Sequence, residues 1–276
     1  MAYAFPGEGA LDYFPCNYGT SRLTFRGPRR SLDRPYIAFL GGAETYGKYV
    51  PDPFPDLVED EVGLAAINLG CVNAGPDVYL AEPEVIRIAQ GAEAVVLQVM
   101  GAANLTNRYY QVHPRRNDRF IAATPLLRAL FREVDFTEFN FTRHMLTTLE
   151  AVSKERFEMV VEELRRSWVE RMGDVLGLLP ERTVLLWMSE APPGPKGQRR
   201  GLKEDPVLVD RAMVAAIVPK ARAYVEAVTS PGARLASLEG MAFAALEALA
   251  AAALPGPSIH REVAQKLAAA LDEVMK

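Results

Sequence analysis

The sequence has only two cysteines in 276 residues, Cys16 and Cys71, far apart and in no CxxC pair. A disulfide framework and a cysteine zinc site are thereby excluded, and a reducing compartment fits. Histidines number three, and no His, Cys, Asp or Glu cluster has metal-ligand spacing, so neither a metal nor a cofactor is expected. No GxGxxG or P-loop spacing occurs, which removes the common nucleotide fingerprints. The longest apolar run, 241–254, is too short for a membrane span and contains Glu247. The start, MAYAFPGEGALDYF, lacks the basic and apolar regions of a secretory signal, so a cytoplasmic location is the expectation. Excess positive charge is also missing: the net charge is -4, which argues against a phosphate-tracking surface and against nucleic acid as a partner.

What is present is an ordinary globular composition, 49% apolar and 24% charged, in a chain long enough to bury a sizeable core. Four nearly continuous apolar runs recur, Tyr36–Leu40, Ala65–Leu69, Ala94–Met100 and Thr183–Met188, with a weaker fifth at Ala223–Val228. Continuous rather than alternating apolarity means both faces are covered, as in a parallel sheet between helix layers. Helices are expected between the runs. Asp52-Pro53, Glu82-Pro83, Thr124-Pro125, Ser153, Asp205-Pro206, Ser237 and Ser258 mark their starts. The helix over 153–179 carries one apolar stripe, Phe157, Val160, Leu164, Trp168, Met172 and Val175, against a charged face. The alternation gives an α/β three-layer sandwich with a five-stranded parallel sheet. Residues 1–34, with five arginines and no periodicity, read as an irregular arm packed on a single domain over 35–276. The Pro/Gly-rich basic segment 191–205 reads as an exposed mobile loop.

In such sheets ligands bind beyond the carboxyl ends of the strands. The residues there are Gly41-Gly42-Ala43-Glu44-Thr45-Tyr46-Gly47 after the first strand and Asn68-Leu69-Gly70 to Asn73 after the second. Gly101 to Asn104 and on to Asn107-Arg108 follow the third, and His260 lies near the end. The segment 107–119, NRYYQVHPRRNDR, interleaves Arg108, Arg115 and Arg116 with tyrosines, a pattern that suits a sugar face or a phosphate or sulfate group. Each motif also has an ordinary reading: turn chemistry for the glycines and asparagines, a solvated loop for the arginines, a first-turn residue for His260.

In order and spacing these blocks resemble those of the SGNH, or GDSL-type, hydrolases. The resemblance implies a flavodoxin-like strand order. It also implies a nucleophile at position 43, oxyanion donors at Gly70 and Asn104, and a base at His260. The sequence departs from that pattern where the chemistry is sharpest: Gly42 stands for the aspartate, Ala43 for the serine, and Pro257 for the aspartate three before His260. The expectation is therefore a degenerate centre that binds an acylated, sugar or anionic small ligand, lined by Gly42, Ala43, Gly70, Asn73, Asn104, Asn107, Arg108, Arg115 and Arg116. Two alternatives stand beside it. One is an ester hydrolase or acyltransferase that uses Thr45, or a water activated by His260 or Glu44. The other is a non-enzymatic interaction module, self-associating as a homodimer through the long helix.

Overall fold

A computed structural model describes residues 9–195 and 201–276. Five parallel strands form the central sheet: β1 (Tyr36–Leu40), β2 (Ala65–Asn68), β3 (Ala94–Gln98), and further on β6 (Thr183–Ser189) and β7 (Ala223–Val228). Their spatial order is β2-β1-β3-β6-β7, the flavodoxin-like order, with every neighbouring pair parallel. Between β3 and β6 lies a two-stranded antiparallel ribbon, β4 (Tyr110–His113) with β5 (Arg116–Ala123). The sequence reading treated this stretch as a basic loop. Its alternation of buried and exposed positions in YQVH is a strand signal too short to stand out among the arginines.

Helices cover both faces. In chain order they are α1 (Ala43–Tyr46), α2 (Phe54–Val62), α3 (Pro76–Leu80), α4 (Pro83–Gln90), α5 (Pro125–Leu130), α6 (Thr142–Val152), α7 (Lys154–Leu178), α8 (Arg211–Ile217), α9 (Pro231–Leu235), α10 (Ala248–Ala251) and α11 (Pro257–Val274). Alternate strand residues serve the two layers. Ile37, Phe39, Val96 and Leu186 pack with Phe54 and Val58 of α2 and with Val263 and Leu267 of α11. Ala38, Leu40, Val95 and Leu185 face the larger cluster, which holds Val160, Leu164 and Trp168 of α7. Thr124 and Ser153 cap α5 and α7 through their side chains, each accepting a first-turn N–H.

Four expected helix starts differ, the first by a single residue, since Pro53 rather than Asp52 is the N-cap of α2. Asp210, not Asp205, caps α8, its carboxylate accepting the Met213 N–H at 3.0 Å. Ser237 opens no long helix; the alanine-rich stretch holds a 3-10 turn (Ala245–Glu247) and the single turn α10, and its Leu246 and Leu249 point into solvent. Alanine propensity alone does not sustain a helix with no buried apolar face. Ser258 lies inside α11, whose N-cap is Gly256. The described part of the arm is held firmly: Tyr18, Leu23 and Phe25 enter the core, and the buried Arg26 donates to the carbonyls of Gly47 (2.7 Å), Val50 (2.9 Å) and Pro51. Of the basic loop expected over 191–205, positions 196–200 lie outside the described residues. No helix among the described residues is long and apolar enough to cross a membrane.

Candidate functional site

A cavity of about 440 Å³ opens at the carboxyl ends of the strands. Residues 42–44 border it after β1, Val72 to Ala74 after β2, Gln98 to Gly101 at the end of β3, and Met188 in β6. It thus spans the point between β1 and β3 where the chain direction across the sheet reverses.

Close packing requires the first glycine of the loop, because a Cβ on Gly41 would overlap the Thr45 hydroxyl and the Gln98 side chain. The Gly41 N–H donates to the Tyr79 hydroxyl at 2.7 Å, and that hydroxyl donates to the Leu69 carbonyl at 3.0 Å. Gln98 is the only polar side chain within strand β3, and it is buried. Its Oε1 accepts the Gly42 N–H (3.0 Å) and the Thr45 hydroxyl (2.6 Å). With the oxygen so occupied, its Nε2 can only point outward, where it donates to Glu44 Oε2 at 2.9 Å. Gln98 therefore fixes both the loop and the carboxyl of Glu44. Trp168 supports the next loop, its Nε1–H donating to the Met100 carbonyl at 2.7 Å.

Glu44 lines the cavity. Burial, and then the carboxylate of Asp205, raise its pKa above the ordinary range, while the Gln98 hydrogen bond and Arg143 pull the other way. Arg143 pairs with Asp205 across the cavity mouth at 3.3 Å. Next to Arg143, the Thr142 hydroxyl donates to Asn104 Oδ1 (2.7 Å) and the Asn104 amide donates to the Asn73 carbonyl (3.2 Å). Asn73, at a φ of 59°, donates in turn to Asp118 at 3.3 Å. Asn117 locks this wall from behind: its Oδ1 accepts the N–H groups of Gly75 and Val78, both at 3.0 Å. Apolar surface comes from Val72, Met100, Phe141, Met188, Val207 and Leu254.

Of the residues singled out by sequence, Gly42, Ala43, Glu44, Asn73 and Asn104 meet at this cavity. Others do not. His260 is 1% exposed and lies outside the lining, on α11 beneath the sheet. Its Nδ1 accepts the N–H of Phe54, the first residue of α2, at 2.9 Å, so Nε2 carries the proton and meets the backbone of Pro255. The first-turn N–H groups of a helix have no acceptor within it, and here an imidazole from a neighbouring helix supplies one. The ring also stacks on Phe54 at 5.7 Å. Burial, with Arg26 nearby, lowers its pKa to about 3, so it stays neutral. His260 is a structural acceptor, and the expectation of a catalytic base is corrected.

Thr45 is corrected for a similar reason: buried, its hydroxyl donates to Gln98 and touches no base. The Gly70 N–H, expected as an oxyanion donor, is spent on Asn68 Oδ1 at 3.0 Å, and the glycine is needed because a Cβ there would overlap the backbone of Thr45 and Tyr46. Asn107 is a turn residue whose Oδ1 accepts the N–H groups of Tyr109 (2.9 Å) and Tyr110 (3.2 Å). Arg108 pairs with the buried Glu163 at 3.2 Å. Neither Arg115 nor Arg116 is part of the lining; Arg115 borders a separate groove. Lys48, Gln98, Asp118, Thr142, Arg143 and Asp205 line the cavity unanticipated. Only Gln98 left a signal, as a lone polar residue inside AVVLQVM; nothing local marks Arg143 or Asp205, which long-range packing brings together. Among the described residues no group of three or more His, Cys, Asp or Glu is arranged to hold a metal ion.

Fold and cavity define an α/β protein with a flavodoxin-order sheet and, at its switch point, a mostly apolar pocket with a few polar groups. The chain belongs to the family described as "Domain of unknown function (DUF6473)", whose model matches residues 1–275. None of the curated proteins matches it in sequence. Among solved structures it is similar to a carbohydrate esterase family 2 enzyme with a carbohydrate binding domain from Corynascus thermopiles (Myceliophthora fergusii). The identity is 11% and the TM-score 0.45, over 90% of this chain and 69% of that one.

Proposed function

We propose that this protein binds a small acylated, sugar-like or anionic ligand in the cavity, on a hydrolase-like frame without serine chemistry. One observation carries the reading. The cavity at Ala43 gathers Glu44, Asn104, Arg143 and Asp205 around an apolar wall, yet among the described residues its lining holds no serine, cysteine or histidine, and the one hydroxyl there, on Thr142, is committed to Asn104. A nucleophile needs a base within about 3 Å, and the nearest candidate by sequence is enclosed elsewhere. Convergent polar groups in a mostly apolar concavity suit recognition. The chain fails this reading if no compound in a panel of monosaccharides, acyl esters and small carboxylates raises its thermal midpoint. Stabilisation that vanishes in Arg143→Ala and persists in His260→Asn supports it.

A second reading keeps chemistry, with Glu44 as acid–base for an attacking water. The observation favouring it is the Glu44 carboxyl itself: in the cavity, oriented by Gln98, with its pKa moved toward neutrality by burial. Turnover lost in Glu44→Gln but unchanged in Thr45→Val is its signature.

A further inference from the structure

The arginines that miss the cavity meet a different concavity. A groove of about 700 Å³ runs between the N-terminal arm (Thr20, Arg22), the start of α4 (Glu82, Glu84, Arg87) and the turn joining β4 to β5 (Arg115). Three guanidiniums face two carboxylates there: Glu84 is paired with one of the arginines, and Glu82 is held by two uncharged donors of the arm. Glu82 is buried and accepts from the Ser21 hydroxyl (2.9 Å) and the Arg22 N–H (3.3 Å). Glu84 takes Arg87 in a two-pronged pair, at 3.0 and 2.7 Å, and also the Thr20 N–H. Arg22 and Arg115 have no carboxylate partner among the described residues.

The backbone beneath both arginines is pinned. Ser21 ties the arm to Glu82 on one side of Arg22. On the other side of the groove the Arg115 N–H donates to His113 Nδ1 at 3.2 Å, and Asn117 donates to the carbonyls of His113 (3.0 Å) and Pro114 (3.3 Å). Two unpaired guanidiniums on fixed backbones, lining one groove, form a receptor for a tetrahedral oxoanion, because each fork presents parallel N–H donors to two of its oxygens. We propose that this groove is a second binding site, independent of the cavity, for a phosphate or sulfate group, free or esterified, held by Arg22 and Arg115.

Titration calorimetry of the full chain with inorganic phosphate, at constant ionic strength, tests this. Saturable one-to-one binding is expected, weakened about tenfold or more in Arg22→Ala/Arg115→Ala and unchanged in Arg116→Ala, whose side chain lies outside the groove. Arg115→Lys, which keeps the charge but loses the fork, should fall between. Tighter binding of glycerol phosphate than of inorganic phosphate assigns the site to an ester, and equal binding to the free ion. No saturable binding by the unaltered protein, or equal binding by the double variant, overturns the proposal.

Discussion

Glu44 and His260 are the two ionisable groups that the sequence marks most strongly, and the structure treats them in opposite ways. Burial pushes both toward their neutral forms, raising the one and lowering the other. His260, however, has both ring nitrogens committed, to Phe54 and Pro255, and stacks on an aromatic ring. Glu44 has one oxygen fixed by Gln98 and borders open volume. A buried titratable group is a site only when some hydrogen-bonding capacity is left for a ligand. By that criterion the first loop is where we place the proposed site, and His260 in the last helix is held as scaffold.

The sharpest break of this contrast is Gly70→Ala. The new methyl would collide with the backbone of Thr45 and Tyr46, directly behind Glu44. Main chain cannot yield as a flexible side chain can, so a loss of roughly 3 kcal/mol or more is expected in urea unfolding, together with loss of any cavity binding. Next comes His260→Ala, which removes the acceptor for the Phe54 N–H and leaves a void against Phe54. About 2–4 kcal/mol should go, with ligand binding untouched in the folded fraction. His260→Asn, whose amide oxygen can take the place of Nδ1, should recover much of it.

Acid sharpens the same contrast. The native imidazole titrates near 3 against an ordinary 6.5, so the unfolded chain takes up a proton that the native state refuses. Its contribution is therefore complete above pH 6.5 and is lost as pH falls toward 3. Between pH 6.5 and 5 the loss from this group is about 1.5 kcal/mol. Asp56, raised to about 6 by burial, works the other way between 3.8 and 6, since there the native state holds the extra proton. The difference between the unaltered protein and His260→Asn isolates the histidine: stability curves against pH should diverge on acidification in favour of the variant. Parallel curves would show that the imidazole is not buried neutral. The smallest effect on stability is expected for Glu44→Gln, within about 1 kcal/mol at neutral pH, because it replaces a carboxyl already biased toward neutrality and removes its repulsion with Asp205.

Much of the frame is legible in the sequence. Four of the five sheet strands announce themselves as nearly continuous apolar runs and the fifth, interrupted by Glu226, more weakly; the observed ends of Tyr36–Leu40 and Ala223–Val228 coincide with those runs. The long helix shows its stripe, and Thr124 and Ser153 their caps. The cavity is harder to read. Loops after strands can be located by sequence position, so Glu44 and Asn104 are found. The direction in which a loop donor points is set by neighbours such as Asn68 and Gln98, so the loss of the Gly70 N–H and the Thr45 hydroxyl is invisible. Arg143 and Asp205 meet across 62 residues of chain, with no local signal in either. His260 misleads because spacing alone places it one turn into α11 and does not say which face it presents.

The most direct test is the hydrolysis of p-nitrophenyl acetate by four proteins: the unaltered chain, Glu44→Gln, Thr45→Val and His260→Asn. The account predicts that any rate above buffer depends on Glu44 and is the same in the other two variants as in the unaltered chain. A rate that disappears in His260→Asn, in folded protein, would contradict it and return the histidine to the active site.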